Sequence, residues 1–140
     1  MKPRNRYVDG LLLALIVGLT LATGYIHFWV GGTLLLLNAA GYATLATAVV
    51  ITALFLRRFL PLVLMALAAY AAVTIVGWLI MGPYFDVAYL AKAIEIGLIV
   101  TIVITLRRMS EETQAAIVWM LLVPAALLSR GGRQPAAEKK

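Results

Sequence analysis

The chain contains no cysteine, which excludes disulfides, thiolate metal sites and thiol catalysis and leaves the redox compartment open. Its single histidine, His27, cannot supply two axial ligands to a haem within one chain, nor make a typical zinc site. A phosphate-cradling loop is missing too. Gly31-Gly32 reads as a two-residue turn without the strand–loop–helix setting such loops need. Charge is scarce: 13 % of residues are charged, where an ordinary soluble domain has about a quarter. These absences point to a non-enzymatic protein with no expected cofactor or metal.

What is present is apolar. Of 140 residues, 64 % are hydrophobic, and the mean hydropathy is +0.99. The net charge of +6 would suggest nucleic acid if the basic residues formed a broad patch. They fall instead in short clusters at the ends of apolar runs, so no nucleic-acid partner is expected.

A hydrocarbon core of about 30 Å needs about 20 helical residues. Four stretches qualify, at roughly 10–30, 33–56, 59–82 and 87–106. The basic N-terminus followed by an apolar run has the outline of a signal sequence, but the run continues through Tyr25 to Val30 and reads as a retained first helix. Gly31-Gly32, Arg57-Arg58 and the Gly82–Phe85 stretch separate the spans. Connections this short make consecutive helices antiparallel neighbours. The fold expected is therefore an all-α membrane protein, a four-helix up-down-up-down bundle over residues 1–108.

Lys2, Arg4 and Arg6 precede the first span, Arg57-Arg58 follow the second, and Arg107-Arg108 follow the fourth. All lie on one side of this topology, and the two opposite loops hold no lysine or arginine. The positive-inside rule then places both termini in the cytoplasm, in a bacterial inner membrane. Trp29, Trp78, Tyr84 and Phe85 mark the outer interface. Asp9 and Asp86 are expected to cap the first and fourth helices, and Pro61 lies in the first turn of the third, where its missing N–H costs little. The only serines, Ser110 and Ser129, fall on the opposite side from His27, which leaves no Ser-His-Asp set.

Beyond Arg108, residues 109–129 read as a helix on the cytoplasmic face or docked on a partner, opened by Ser110 with Glu111 and Glu112 in its first turn. A fifth crossing by Ala115–Leu128 is the alternative. Residues 130–140 have the composition of a disordered tail. Small-residue ridges suit close helix approach: Ala14, Gly18 and Ala22; Ala40, Thr44 and Ala48; Ala93, Gly97, Thr101 and Thr105. They serve contacts within the bundle or with a second copy.

The chemistry-bearing residues gather at one level. Lys92 and Glu95 are three residues apart inside the fourth span, so their side chains share a face. A charge in hydrocarbon costs about 2.5–3.5 kcal/mol even on lenient scales, and such residues are functional suspects by default. Counting inward from the outer ends at about 1.5 Å per residue, His27 lies about 5 Å down, Asn38 and Lys92 about 7 Å, Glu95 about 12 Å and Tyr42 about 13 Å. If these face inward, Lys92, Glu95, His27, Asn38 and Tyr42 form one polar network across three helices.

The stretches YIHFWVGGTLLLLNAAGYATLA (Tyr25–Ala46) and YLAKAIEIGLIV (Tyr89–Val100) resemble small four-span bacterial membrane proteins. In these a histidine closes the first helix, a Leu-Asn-Ala-x-Gly-Tyr pattern opens the second, and Lys-Ala-Ile-Glu lies in the fourth. The matching residues are His27, Asn38, Gly41, Tyr42, Lys92 and Glu95, and the resemblance covers most of residues 10–106. It implies a shared architecture and polar layer, without an activity. The first functional expectation is an accessory subunit of a larger membrane complex, with the lipid bilayer and other membrane subunits or a second copy as partners. The alternatives are a small proton- or ion-linked transporter or sensor using Lys92, Glu95 and His27, and a protein that binds a lipid or quinone head group.

Overall fold

The computed structural model describes residues 6–82 and 84–109, together with Val118. Apart from Val118, the surface helix and tail expected beyond Met109 lie outside this set. Four long helices account for nearly all of the described chain: α1 (Arg6–Val30), α2 (Thr33–Leu54), α3 (Leu60–Met81) and α4 (Asp86–Arg108). A single 3-10 turn, Arg57–Phe59, joins α2 to α3. There are no strands among the described residues. Each long helix has the length and apolar character needed to cross a membrane.

The breaks have local causes. Gly31 and Gly32 both take positive φ, 78° and 92°, a backbone region that side-chain-bearing residues enter only with strain. That pair turns the chain between α1 and α2. Pro61 sits in the first turn of α3, where a helix has no N–H partner to lose. The expected caps differ from what forms. Phe85, in extended conformation and without a side-chain hydrogen bond, is the N-cap of α4, so Asp86 is the first helical residue. Because α1 begins at Arg6, Asp9 lies within its first turn and binds Arg108 Nε at 3.0 Å. Both acids still sit near a positive helix end.

Each helix buries one face at spacings of three and four residues, the period of a helix surface. On α1 the buried set includes Ile16, Thr20, Thr23 and His27. Tyr42, Ala46 and Val49 serve α2, Leu60, Leu64, Leu67 and Ala71 serve α3, and Ala91, Glu95, Leu98, Ile102 and Thr105 serve α4. The helices form a closed ring: α1 packs on α2 and α4, and α3 packs on α2 and α4. The ring's interior is apolar toward the arginine-bearing ends, where Ile16, Leu64, Leu67, Leu98 and Ile102 are wholly buried.

The small-residue ridges divide between the inside and the outside of the ring. Ala14 and Gly18 on α1, and Ala40 and Thr44 on α2, face outward. Larger residues displaced them from the interior, because the ring is wide enough to take Ile16 and Tyr42 between its helices. On α4 the ridge divides: Thr101 and Thr105 are buried, Gly97 is half-buried and Ala93 is exposed. A close approach occurs at Gly41, where a Cβ would clash with the hydroxyl end of Tyr70 from α3.

Candidate functional site

Glu95 lies on the inward stripe of α4 and is completely buried. An ionised carboxylate in such a place needs its lone pairs occupied, and helices on either side supply the donors. Lys92, one turn back on the same helix, reaches Oε2 at 2.7 Å. Thr74 of α3 donates to the same oxygen at 3.0 Å. Thr23 of α1 donates to Oε1 at 3.2 Å, and His27 Nε2 stands 3.7 Å from that oxygen. One carboxylate thereby gathers groups from α1, α3 and α4.

The histidine is oriented by its own helix. Its Nδ1 is 2.8 Å from the carbonyl oxygen of Thr23, and a carbonyl can only accept, so Nδ1 carries a hydrogen. This turns Nε2 toward Glu95. At 3.7 Å from Oε1 the nitrogen borders the carboxylate without a direct hydrogen bond to it.

The second layer extends the chain of hydroxyls. Tyr42, wholly buried on α2, lies 2.9 Å from Thr74 Oγ1. Thr74 has one hydrogen; when it is given to Glu95, the Tyr42 hydroxyl donates into Thr74, making a directional run from Tyr42 through Thr74 to Glu95. The Tyr42 ring also lies 5.6 Å from that of His27. Lys92 also donates to the backbone carbonyl of Thr74 at 3.3 Å.

Of the residues expected to meet, Lys92, Glu95 and His27 are in direct contact, and Tyr42 joins them through Thr74. Asn38 is one step removed: its Oδ1 accepts from Tyr70 at 3.3 Å, and the Tyr70 ring meets that of Tyr42 edge-on at 5.0 Å between centroids. Thr23, Thr74 and Tyr70 were not among the expected members. Thr74 had a signal, since seven residues from the end of α3 is about 10 Å at 1.5 Å per residue, the level of Lys92 and Glu95. Thr23 falls on the His27 face by its four-residue spacing.

Above this cluster, toward the ends without arginine, the four helices part around a cleft of about 370 Å³. Its walls are mostly apolar and include Gly77 and Trp78, while His27, Asn38, Thr74 and Lys92 contribute the polar surface. In the opposite direction the interior closes. The buried hydroxyls of Thr20, Thr101 and Thr105 turn back to carbonyls of their own helices, the usual resting bond of threonine in a helix. The polar cluster is thus open to the cleft on one side and sealed by packed side chains on the other.

No protein-family model matches this chain, and no significant similarity to a curated protein or a solved structure is found.

Proposed function

We propose that the chain is a non-enzymatic, multi-pass protein of the bacterial inner membrane that binds the polar head of a lipid-soluble molecule. In this reading it is an up-down-up-down bundle with both termini cytoplasmic, and its cleft opens toward the outer leaflet. The support for orientation is the placement of Arg6, Arg57-Arg58 and Arg107-Arg108 at the helix ends on one side, together with exposed Trp29 and Tyr84 at the other. The observation that carries the ligand reading is the cleft itself, with apolar walls and a few convergent polar groups including Lys92 and His27. Ligand sites of roughly 300–1,000 Å³ have this character. The closed layer of Ile16, Leu67, Leu98 and Ile102 beneath the charges favours a terminal binding site over a transport path through one chain.

The test is purification from native membranes in mild detergent, followed by solvent extraction and mass spectrometry of what co-purifies. A Gly77→Leu variant is the control, because a Cβ at Gly77 meets nothing within 4 Å and the added side chain occupies the cleft. Enrichment of one lipophilic compound over bulk lipid, lost in Gly77→Leu, is the expected result. A wild-type protein that carries only bulk lipid, or enrichment that Gly77→Leu retains, overturns the reading.

A second reading, an accessory subunit or homo-oligomer, draws on the outward ridge of Ala14 and Gly18 on α1 and Ala40 and Thr44 on α2. Small residues on an outer face let another membrane helix approach closely. Its test is the mass of the particle released from native membranes, and a monomer without partners removes its support.

A further inference from the structure

We infer that the cleft selects a neutral molecule whose polar end carries acceptor oxygens only, the chemistry of a quinone or ester carbonyl. This rests on the reading of the cleft as a binding site and names the class of its ligand. The hydrogen-bonding groups on the cleft floor differ in how far they are already engaged.

Glu95 Oε2 receives Lys92 and Thr74, and Oε1 receives Thr23 and faces His27. The carbonyl of Thr74 accepts from Lys92, that of Thr23 from His27, and Asn38 Oδ1 from Tyr70. Each of these acceptors already receives a hydrogen bond or faces a nitrogen. The bonds left wholly without a partner are on the donor side. An ammonium group has three N–H bonds, and Lys92 directs two contacts to Glu95 and Thr74. The Asn38 amide nitrogen has two further N–H bonds and no partner among the described residues. Both residues line the cleft. A floor whose unpartnered bonds are donors calls for a ligand that accepts.

Charge narrows the class. The Lys92 ammonium is already matched by Glu95 at 2.7 Å. An anionic head would add an uncompensated negative charge beside a buried carboxylate, and the desolvation of such a head is expensive in this setting. A neutral carbonyl takes the same N–H bonds without that cost, while its apolar remainder suits the walls.

The experiment uses the full chain in lipid nanodiscs, with empty nanodiscs as blank, and four probes: decyl-benzoquinone, methyl decanoate, decanoate and decane. The quinone, the ester or both should bind about tenfold more tightly than decane and decanoate, the effect of about one net hydrogen bond. Whichever of the two binds more tightly identifies the source of the carbonyl. Asn38→Leu should abolish that preference while decane binding persists, which also shows that the variant is folded. Tyr70 keeps an acceptor in this variant, the backbone carbonyl of residue 38 at 3.4 Å. Equal binding of all four probes, lost in Gly77→Leu, overturns the donor-floor inference and leaves the binding site standing. Tightest binding by decanoate overturns neutrality. Probe binding that Gly77→Leu leaves intact, or none at all, removes the binding site itself.

Discussion

Thr74 is the joint of the polar cluster, and replacing it by valine should cost more than the same replacement at Thr23. The two threonines look equivalent, since each donates one hydroxyl to Glu95 at 3.0 and 3.2 Å. Valine keeps the volume and removes the donor. For Thr23 the loss is one interhelical bond to a charge. Such bonds reach about 1.7 kcal/mol in membrane bundles and average about 0.6, so about 1 kcal/mol is expected. At Thr74 the same amount is lost, and in addition the wholly buried Tyr42 hydroxyl loses its 2.9 Å partner. An orphaned buried hydroxyl costs about 1–3 kcal/mol. Tyr42 also lies within electrostatic reach of Glu95, and a small swing of the phenol recovers part of that cost. The expected total for Thr74→Val is therefore about 2 kcal/mol, at the low end of the sum. The assay is reversible unfolding in mixed micelles with increasing sodium dodecyl sulfate, followed by far-ultraviolet circular dichroism. In a Tyr42→Phe background there is no hydroxyl to orphan, and Thr74→Val should fall back to about 1 kcal/mol. Equal losses for the two threonines, or a Thr74→Val penalty unchanged by Tyr42→Phe, would refute the joint.

Three further outcomes are expected. Gly41→Ala forces a Cβ against the hydroxyl end of Tyr70 and should destabilise by about 1–3 kcal/mol, whereas Gly18→Ala, with open space around its Cβ, should stabilise by up to about 1 kcal/mol; unfolding midpoints of the two variants check the contrast. Lys92→Met leaves Glu95 buried without its close cation and should cost about 3 kcal/mol or more, of which Glu95→Gln in the same chain should restore about half; a double variant worse than the single one excludes the pairing argument. Because the chain has no cysteine, single Thr33→Cys and Leu56→Cys variants report sidedness: an impermeant maleimide should label the first in intact cells and the second only after permeabilisation, and the reverse pattern inverts the proposed orientation.

Much of the helical frame was legible because the sequence states it in terms that do not depend on tertiary contacts. Apolar runs of spanning length, a glycine pair, two arginine pairs and a proline in a first turn mark the helices to within a few residues, and α1 alone starts clearly earlier than its apolar run suggests. Depth was legible for the same reason, since rise per residue is fixed. Direction around the helix axis was not. Ala14-Gly18 and Ala40-Thr44 carry the composition of a contact face and lie outside, while Tyr42 and His27, which are equally at home at an interface, lie inside. Lipid tails are as apolar as leucine, so hydropathy does not distinguish the inner from the outer stripe of a membrane helix. Polar residues distinguish it better. The threonines that complete the cluster were passed over because a threonine in a helix is ordinarily content with a carbonyl four residues back. Thr23 departs from that habit where a buried carboxylate is in reach, and Thr74 reaches the same carboxylate while keeping a carbonyl of its own helix, that of Ala71, at 2.8 Å.

The carboxylate explains why a charged layer is compatible with both a stable bundle and an open site. Lys92 and Glu95 sit on one helix, so their mutual attraction exists before α4 meets its neighbours and contributes little to assembly by itself. Assembly adds the hydroxyls of Thr23 and Thr74, from helices on opposite flanks of α4. A slip of either neighbour by one residue, about 1.5 Å, would carry its hydroxyl out of bonding range and leave a buried charge under-satisfied. Glu95 thus fixes the register of α1 and α3 against α4. Its exposure differs from that of its partner: Glu95 is fully sealed, whereas Lys92 retains 7 % and borders the cleft. A pair present only for register has no need of that asymmetry, since two sealed groups would do as well. The sealed acid anchors the ammonium from below, holds it in one orientation, and leaves its remaining donor capacity at the cleft floor. On the proposed reading, the structural and binding roles are two consequences of the same four contacts to one carboxylate.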